Sequence, residues 1–184
     1  MTAVDNPAGV LVITGIMAAG KSTVAEALAL RFARGVHPRG DVFRRAVVSG
    51  RAEMTPEPSQ EALTQLALRH ELACAVARRY AEAGFFVVYQ DVILGRYLSD
   101  VVALLGDNLR GVVVLCPNPD VVAERENRRS KTGYIGFTPS DLDRTLRDET
   151  PDIGLWRDNS ALSVDETVDA ILARLDETRR GIAD

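Results

Sequence analysis

The octapeptide Gly15-Ile16-Met17-Ala18-Ala19-Gly20-Lys21-Ser22 constrains this chain more than any other stretch of it. It follows Val10-Leu11-Val12-Ile13-Thr14, a run too short for a stable helix and without polar alternation, which predicts a strand buried on both faces. It opens the segment 21–34, in which Val24, Leu28 and Phe32 recur four apart and predict an amphipathic helix. Passing from buried strand to helix through this bend points successive backbone N–H groups inward, and a side chain larger than hydrogen at Gly15 or Gly20 would obstruct the bend or the approach of a bound anion. The helix start adds its dipole, Lys21 a cation that reaches β- and γ-phosphates, and Ser22 a hydroxyl for Mg²⁺. At this composition such a match is expected by chance about once in a thousand chains of this length. Gly15, Ile16, Met17, Ala18, Ala19, Gly20, Lys21, Ser22 and Thr23 are therefore expected to hold the phosphates of ATP, with Ser22 on the metal.

The rest of the 184-residue chain repeats the strand–helix alternation. A brief strand within 35–41 ends at Asp41, and a helical turn or two follows over 43–48. After the loop 50–58, Ser59 is a good N-cap for a long helix whose stripe is Leu63, Leu66, His70, Ala73, Ala77 and Tyr80 and whose end is Gly84. Further strands are expected at 85–89, 112–116 and 155–159. Helices begin at Asn118-Pro119, at Thr138-Pro139-Ser140-Asp141 and at the capping box Ser163/Glu166. Apolar strands separated by helices predict an α/β fold: one domain over 1–184, a three-layer α/β/α sandwich around a five-stranded parallel sheet, with a mobile lid at about 129–138. Ligands in such folds bind at the carboxyl ends of the strands.

Charge and composition narrow the partners. A formal charge of −4 argues against a dedicated grip on nucleic acid, and no apolar run approaches membrane-spanning length. The polar start carries no basic cluster, so a cytoplasmic protein is expected. The two cysteines, Cys74 and Cys116, lie among apolar neighbours and read as buried thiols in a reducing compartment. Of 22 basic residues only Lys21 and Lys131 are lysine, so neither supplies the Asn-Lys-x-Asp that a GTPase uses to read its base. A motor ATPase needs a larger chain.

What fits is a small kinase, which requires metal support, a carboxylate near the acceptor hydroxyl and cations on the migrating charge. Asp91, at the end of the strand 85–89, is a candidate for metal or acceptor, and Asp41 for the general base. Arg125, Arg128 and Arg129 share one helical face beside the lid, and at least one of them, Arg125 or Arg129, is expected to reach the phosphates. His37, Asp41, Arg44, Arg45 and Asp91 are candidates for the pocket of a small-molecule acceptor. His70 reads as a hydrogen-bonded core residue.

These residues resemble the chloramphenicol phosphotransferase-like P-loop kinases. The likeness rests on Gly15 to Ser22, on Gly40-Asp41, on Asp91-Val92-Ile93-Leu94-Gly95 and on Arg125-Glu126 with Arg129. It implies that Asp41 activates the acceptor's hydroxyl and that Arg125 and Arg129 serve the lid. Where that family has paired aspartates after the third strand, this chain has Gln90-Asp91. The expected activity is transfer of the γ-phosphoryl of Mg-ATP to a hydroxyl of a small molecule, an antibiotic among the candidates. A kinase of a nucleoside, nucleotide or sugar metabolite, and a non-catalytic ATP-binding protein, are the alternatives.

Overall fold

The structure is a computed structural model that describes residues 8–128 and 136–182. Arg129 and most of the lid candidate, 129–135, lie outside the described residues. Five strands, β1 (Gly9–Gly15), β2 (Gly35–Val36), β3 (Phe86–Gln90), β4 (Leu109–Leu115) and β5 (Leu155–Arg157), form one sheet in the order β2-β3-β1-β4-β5, with every pairing parallel. Helices α1 (Lys21–Ala29), α2 (Asp41–Ala46), α3 (Gln60–Glu82), α4 (Tyr97–Leu105), α5 (Pro119–Asn127), α6 (Pro139–Arg144) and α7 (Val164–Leu172) flank it on both sides.

The centre of the sheet is β1, every residue of which is buried, as are all five of β3. Such strands can use unbroken apolar runs because helices cover both faces. Connections leave β1 first toward β2 and β3, then cross to β4 and β5 on its other side. That reversal opens a crevice at the carboxyl end of β1, where the octapeptide lies. Thr14 fixes the neighbouring loop: its hydroxyl donates to the carbonyl of Ile93 at 2.8 Å and accepts from the Ile93 N–H at 2.9 Å.

The caps form where the sequence places them. Ser59 accepts from the Ala62 N–H, Asn118 from that of Asp120, and Thr138/Asp141 and Ser163/Glu166 close complete capping boxes. The buried face of α3 differs from the expected stripe. Ala62, His70, Ala73, Cys74, Ala77 and Ala81 are buried, whereas Leu68, Leu72 and Tyr80 remain exposed. Small residues let this helix approach the sheet closely, so the largest apolar side chains are turned outward. His70 is buried as expected, yet its Nε2 has no hydrogen-bond partner. Helix α4, which no motif announces, fills the stretch between β3 and β4, and Leu175 falls in a 3-10 turn beyond α7. Cys74 and Cys116 are buried free thiols, and burial raises the proton affinity of both, that of Cys74 to about 12. No described helix is long and apolar enough to cross a membrane.

Candidate active site

The loop between β1 and α1 has the backbone its composition demands. Gly15 has φ +142°, and a Cβ there would stand 2.3 Å from the carbonyl oxygen of Leu115 on the adjacent strand. Ala18, at φ 62°, is the only non-glycine residue with positive φ among the described residues. Alternation of such a residue with right-handed neighbours turns consecutive N–H groups to one side, the concavity that anions occupy. Gly20, at φ 93°, closes the loop onto α1. Lys21 is buried, and its Nζ donates to the Ile16 carbonyl of the same loop at 2.7 Å, so the ammonium lies folded across the cradle.

On the α7 side of the loop is a cleft of about 280 Å³ lined by residues that include Gly20, Thr23, Arg125, Asn159, Leu162 and Thr167. The Asn159 carboxamide donates to the Ala19 carbonyl at 3.1 Å, and Arg125 Nη2 donates to the Asn159 carbonyl at 3.1 Å. Asn159 Oδ1 and Arg125 Nη1 are both buried without a hydrogen-bond partner. An unmet donor and an unmet acceptor at one cleft cost several kcal/mol together unless something polar binds there (about 1–3 each). Arg125, expected at the phosphates, lies here beside Gly20 with its guanidinium bonded to the Asn159 carbonyl. Asn159 is a residue that sequence reading missed; the only signal was its place just after the last strand.

On the β3 side the Ser22 hydroxyl donates to Gln90 Oε1 at 2.8 Å and accepts from Arg39 Nη2 at 3.3 Å. Arg39 Nε lies 3.8 Å from Asp41 Oδ1, and Arg45 Nη2 lies 3.0 Å from Asp41 Oδ2. Asp41 is the first residue of α2, where a carboxylate favours the helix dipole, and its Oδ1 is buried with no hydrogen bond. The Asp41 carboxylate therefore stands one guanidinium away from the hydroxyl of Ser22. His37 is half-buried near Arg39, Glu26 and Asp41. Burial first, and Arg39 second, lower its proton affinity against the opposing pull of the two acids. Arg44 is turned from this group to Glu53, which Arg51 also contacts, and Arg44 holds the Glu53 carboxyl below its usual range.

Asp91 is placed differently from the expectation of a metal or acceptor contact. Its side chain is 1% exposed and is gripped by Arg69 of α3, whose Nε donates to Oδ2 at 2.8 Å and whose Nη2 donates to Oδ1. The Val92 N–H donates to the same Oδ1 at 2.7 Å. Gly40 packs so closely that a Cβ on it would come 1.8 Å from Asp91 Oδ2. The carboxylate thus fastens α3 to the turn that carries Asp41, and the residue beside Ser22 is Gln90. Alternate residues leave a strand on opposite faces, so only one of Gln90 and Asp91 can turn toward the loop, and composition does not say which.

A five-stranded parallel sheet in this order, a phosphate loop after its central strand, and helices on both sides define one architecture. The fold is that of the P-loop kinases. Solved structures similar to this chain include a sugar kinase from a Janibacter species, with TM-score 0.71, 18% identity, and 93% of this chain and 96% of that one covered. A gluconokinase from Sinorhizobium meliloti matches at TM-score 0.61 and 25% identity, with 91% of each chain covered. The tunicamycin resistance protein of Deinococcus radiodurans matches at TM-score 0.64 and 18% identity, over 94% of this chain and 98% of that one. No protein-family model and no curated protein matches the sequence. The likeness reaches the P-loop kinase fold and stops short of the narrower resemblance to chloramphenicol phosphotransferases.

Among the described residues no group of three or more His, Cys, Asp or Glu side chains converges as a metal cage. The Ser22 hydroxyl and the Gln90 amide oxygen, 2.8 Å apart, are a neutral oxygen pair suited to Mg²⁺, which keeps most of its waters and takes the rest of its ligands from phosphate.

Proposed function

We propose that the protein is an ATP- and Mg²⁺-dependent phosphotransferase acting on a hydroxyl of a small molecule. The observation that carries this reading is the position of Asp41: a carboxylate across one guanidinium from Ser22, on the opposite side of the loop from the polar cleft. The cleft, with Arg125 and Asn159, takes the nucleoside end of ATP. The loop N–H groups and Lys21 take the phosphates. Ser22, beside Gln90, would hold Mg²⁺, which would supply charge neutralisation to the phosphates.

Asp41 accepts the proton of the acceptor hydroxyl as that oxygen bonds to the γ-phosphorus, while the bond from phosphorus to the bridging oxygen breaks and ADP leaves. The protonated Asp41 then gives its proton to solvent. Arg45, on the outer oxygen of Asp41, orients the carboxylate for this step. His37, neutral near pH 7, and the exposed flank of α2 border the acceptor. The structures the chain resembles, a sugar kinase, a gluconokinase and a tunicamycin resistance protein, favour a polyhydroxyl acceptor, sugar-derived or an antibiotic.

The test is release of ADP from Mg-ATP, with and without a panel of sugars, sugar acids, nucleosides and antibiotics, with Lys21→Ala as control. One compound should stimulate release in the unmodified protein alone, and Asp41→Asn should abolish that stimulation while leaving ATP binding intact. Stimulated turnover that survives Asp41→Asn would refute the assignment of the base. Tight ATP binding with unstimulated turnover across the whole panel would favour the non-catalytic ATP-binding alternative.

A further inference from the structure

Arg39 belongs to no motif, and the mechanism above gives its guanidinium nothing to do. Its backbone is held unusually firmly for a residue between a two-residue strand and a short helix. Arg39 pairs with Gln90 as an isolated parallel bridge beyond the end of β2. On either side of it, the Gln90 N–H donates to the Pro38 carbonyl at 3.1 Å and the Gly40 N–H donates to the Gln90 carbonyl at 3.0 Å. The side chain therefore starts from a fixed point. It is 45% exposed, and it lies with Nη2 on Ser22 Oγ and Nε toward Asp41.

That position conflicts with a bound metal. The Ser22 hydroxyl gives its hydrogen to Gln90 and a lone pair to Arg39. A Mg²⁺ ion on Ser22 would sit about 2 Å from the oxygen on its remaining lone pair, crowding the guanidinium that donates from 3.3 Å away. Two cations within roughly 5 Å of each other repel by several kcal/mol at the effective dielectric of a protein surface. Arg39 must therefore leave Ser22 when Mg-ATP arrives. From its fixed backbone the anions nearest to it are the Asp41 carboxylate, which Arg45 already holds, and the γ-phosphate that the metal brings to Ser22.

Resting on the proposed phosphotransfer, we infer that Arg39 is a catalytic cation: it holds the metal-binding hydroxyl in the empty site and moves onto the γ-phosphoryl oxygens when Mg-nucleotide enters, between the donor and Asp41. It supplies the planar, multiply donating guanidinium that charge spreading over three phosphoryl oxygens calls for. It comes from the acceptor side of the loop, opposite the cleft that Arg125 lines. The exchange also explains why the partner of Ser22 on β3 is a neutral amide. A carboxylate there would retain the guanidinium.

Calorimetric titration of the full chain with Mg-ADP and with Mg-AMP-PNP, for the unmodified protein, Arg39→Met and Arg39→Lys, tests this without knowledge of the acceptor. The unmodified protein should prefer the triphosphate analogue. Arg39→Met should lose at least tenfold of that preference, with Mg-ADP affinity unchanged or a few-fold tighter because the competing cation is gone, and Arg39→Lys should keep part of it. An unchanged preference in Arg39→Met, equal weakening of both nucleotides, or an unmodified protein without preference would overturn the inference. An unmodified protein that binds neither nucleotide would instead overturn the proposed function on which it rests.

Discussion

Removing Arg69 separates a structural part for Asp91 from a functional one. In Arg69→Met the Asp91 carboxylate, 1% exposed with Arg69 in place, keeps only the Val92 N–H at 2.7 Å and the Tyr89 hydroxyl at 3.5 Å. Breaking a buried ion pair from one side costs about 3–5 kcal/mol, because the remaining charge is left in a poorly solvating interior. Arg69 is itself 15% exposed, so water reaches the gap it leaves and the lower end, about 3 kcal/mol, is expected. For a chain of this size that lowers the melting temperature by roughly 6–12 °C. Adding Asp91→Asn discharges the stranded group, so the double variant should regain at least half of the loss. Urea unfolding of both variants and of Asp91→Asn alone measures all the terms. A loss below about 1 kcal/mol in Arg69→Met, or a double variant no better than the single one, refutes the pairing argument. Mg-ATP binding abolished in Asp91→Asn at unchanged stability would return Asp91 to the metal.

Three further outcomes follow from the geometry. Gly15→Ala places a Cβ against the Leu115 carbonyl, a backbone atom that cannot give way, at a φ that alanine avoids, so a loss of about 2–3 kcal/mol together with nucleotide binding is expected in urea unfolding and calorimetry. Wild-type affinity for ADP in that variant would contradict the described loop. Asn159→Ala removes the bond to Ala19 and one unmet acceptor of the cleft, and should weaken Mg-ADP binding about three- to tenfold with little change in melting temperature; unchanged affinity would place the nucleoside elsewhere. Burial lowers the proton affinity of His70 below the ordinary 6.5, against the pull of Asp91, with Arg69 adding to the lowering and Asp100 opposing it. The unfolded chain then binds that proton more readily than the folded one, so the associated stability is complete above about pH 6.5 and is lost as pH falls through the folded value. His37, lowered in the same sense, adds to the slope. Melting temperatures between pH 5 and 8 should fall more gently in His70→Gln than in the unmodified protein, and parallel curves would count against this role.

Much of the architecture was legible because it follows from short-range chemistry. The buried run 10–14, the glycine-flanked bend and the caps at Ser59, Asn118, Thr138 and Ser163 each need only neighbouring residues to be read, and each forms. What escaped depends on long-range choices. The burial of α3 through alanines, with Leu68 and Leu72 outside, is set by how near the helix lies to the sheet, which periodicity does not encode. Helix α4 begins without a side-chain cap and so gave no punctuation. In the site, the loop was legible from sequence. The exchange of places between Gln90 and Asp91 was not, because it turns on which of two adjacent side chains Arg69, 22 residues earlier, captures.

The cleft beside the loop has its own history during synthesis. Ala19 is made first, and the carboxamide that bonds it arrives with Asn159, 140 positions later, and α7 completes the wall after that. At ordinary elongation rates this interval is on the order of ten seconds, during which the loop stands without the cleft beside it. On the proposed reading, nucleotide therefore stabilises only a chain in which Asn159 and α7 have been made, and a product terminated before them lacks the protection that ligand binding would give.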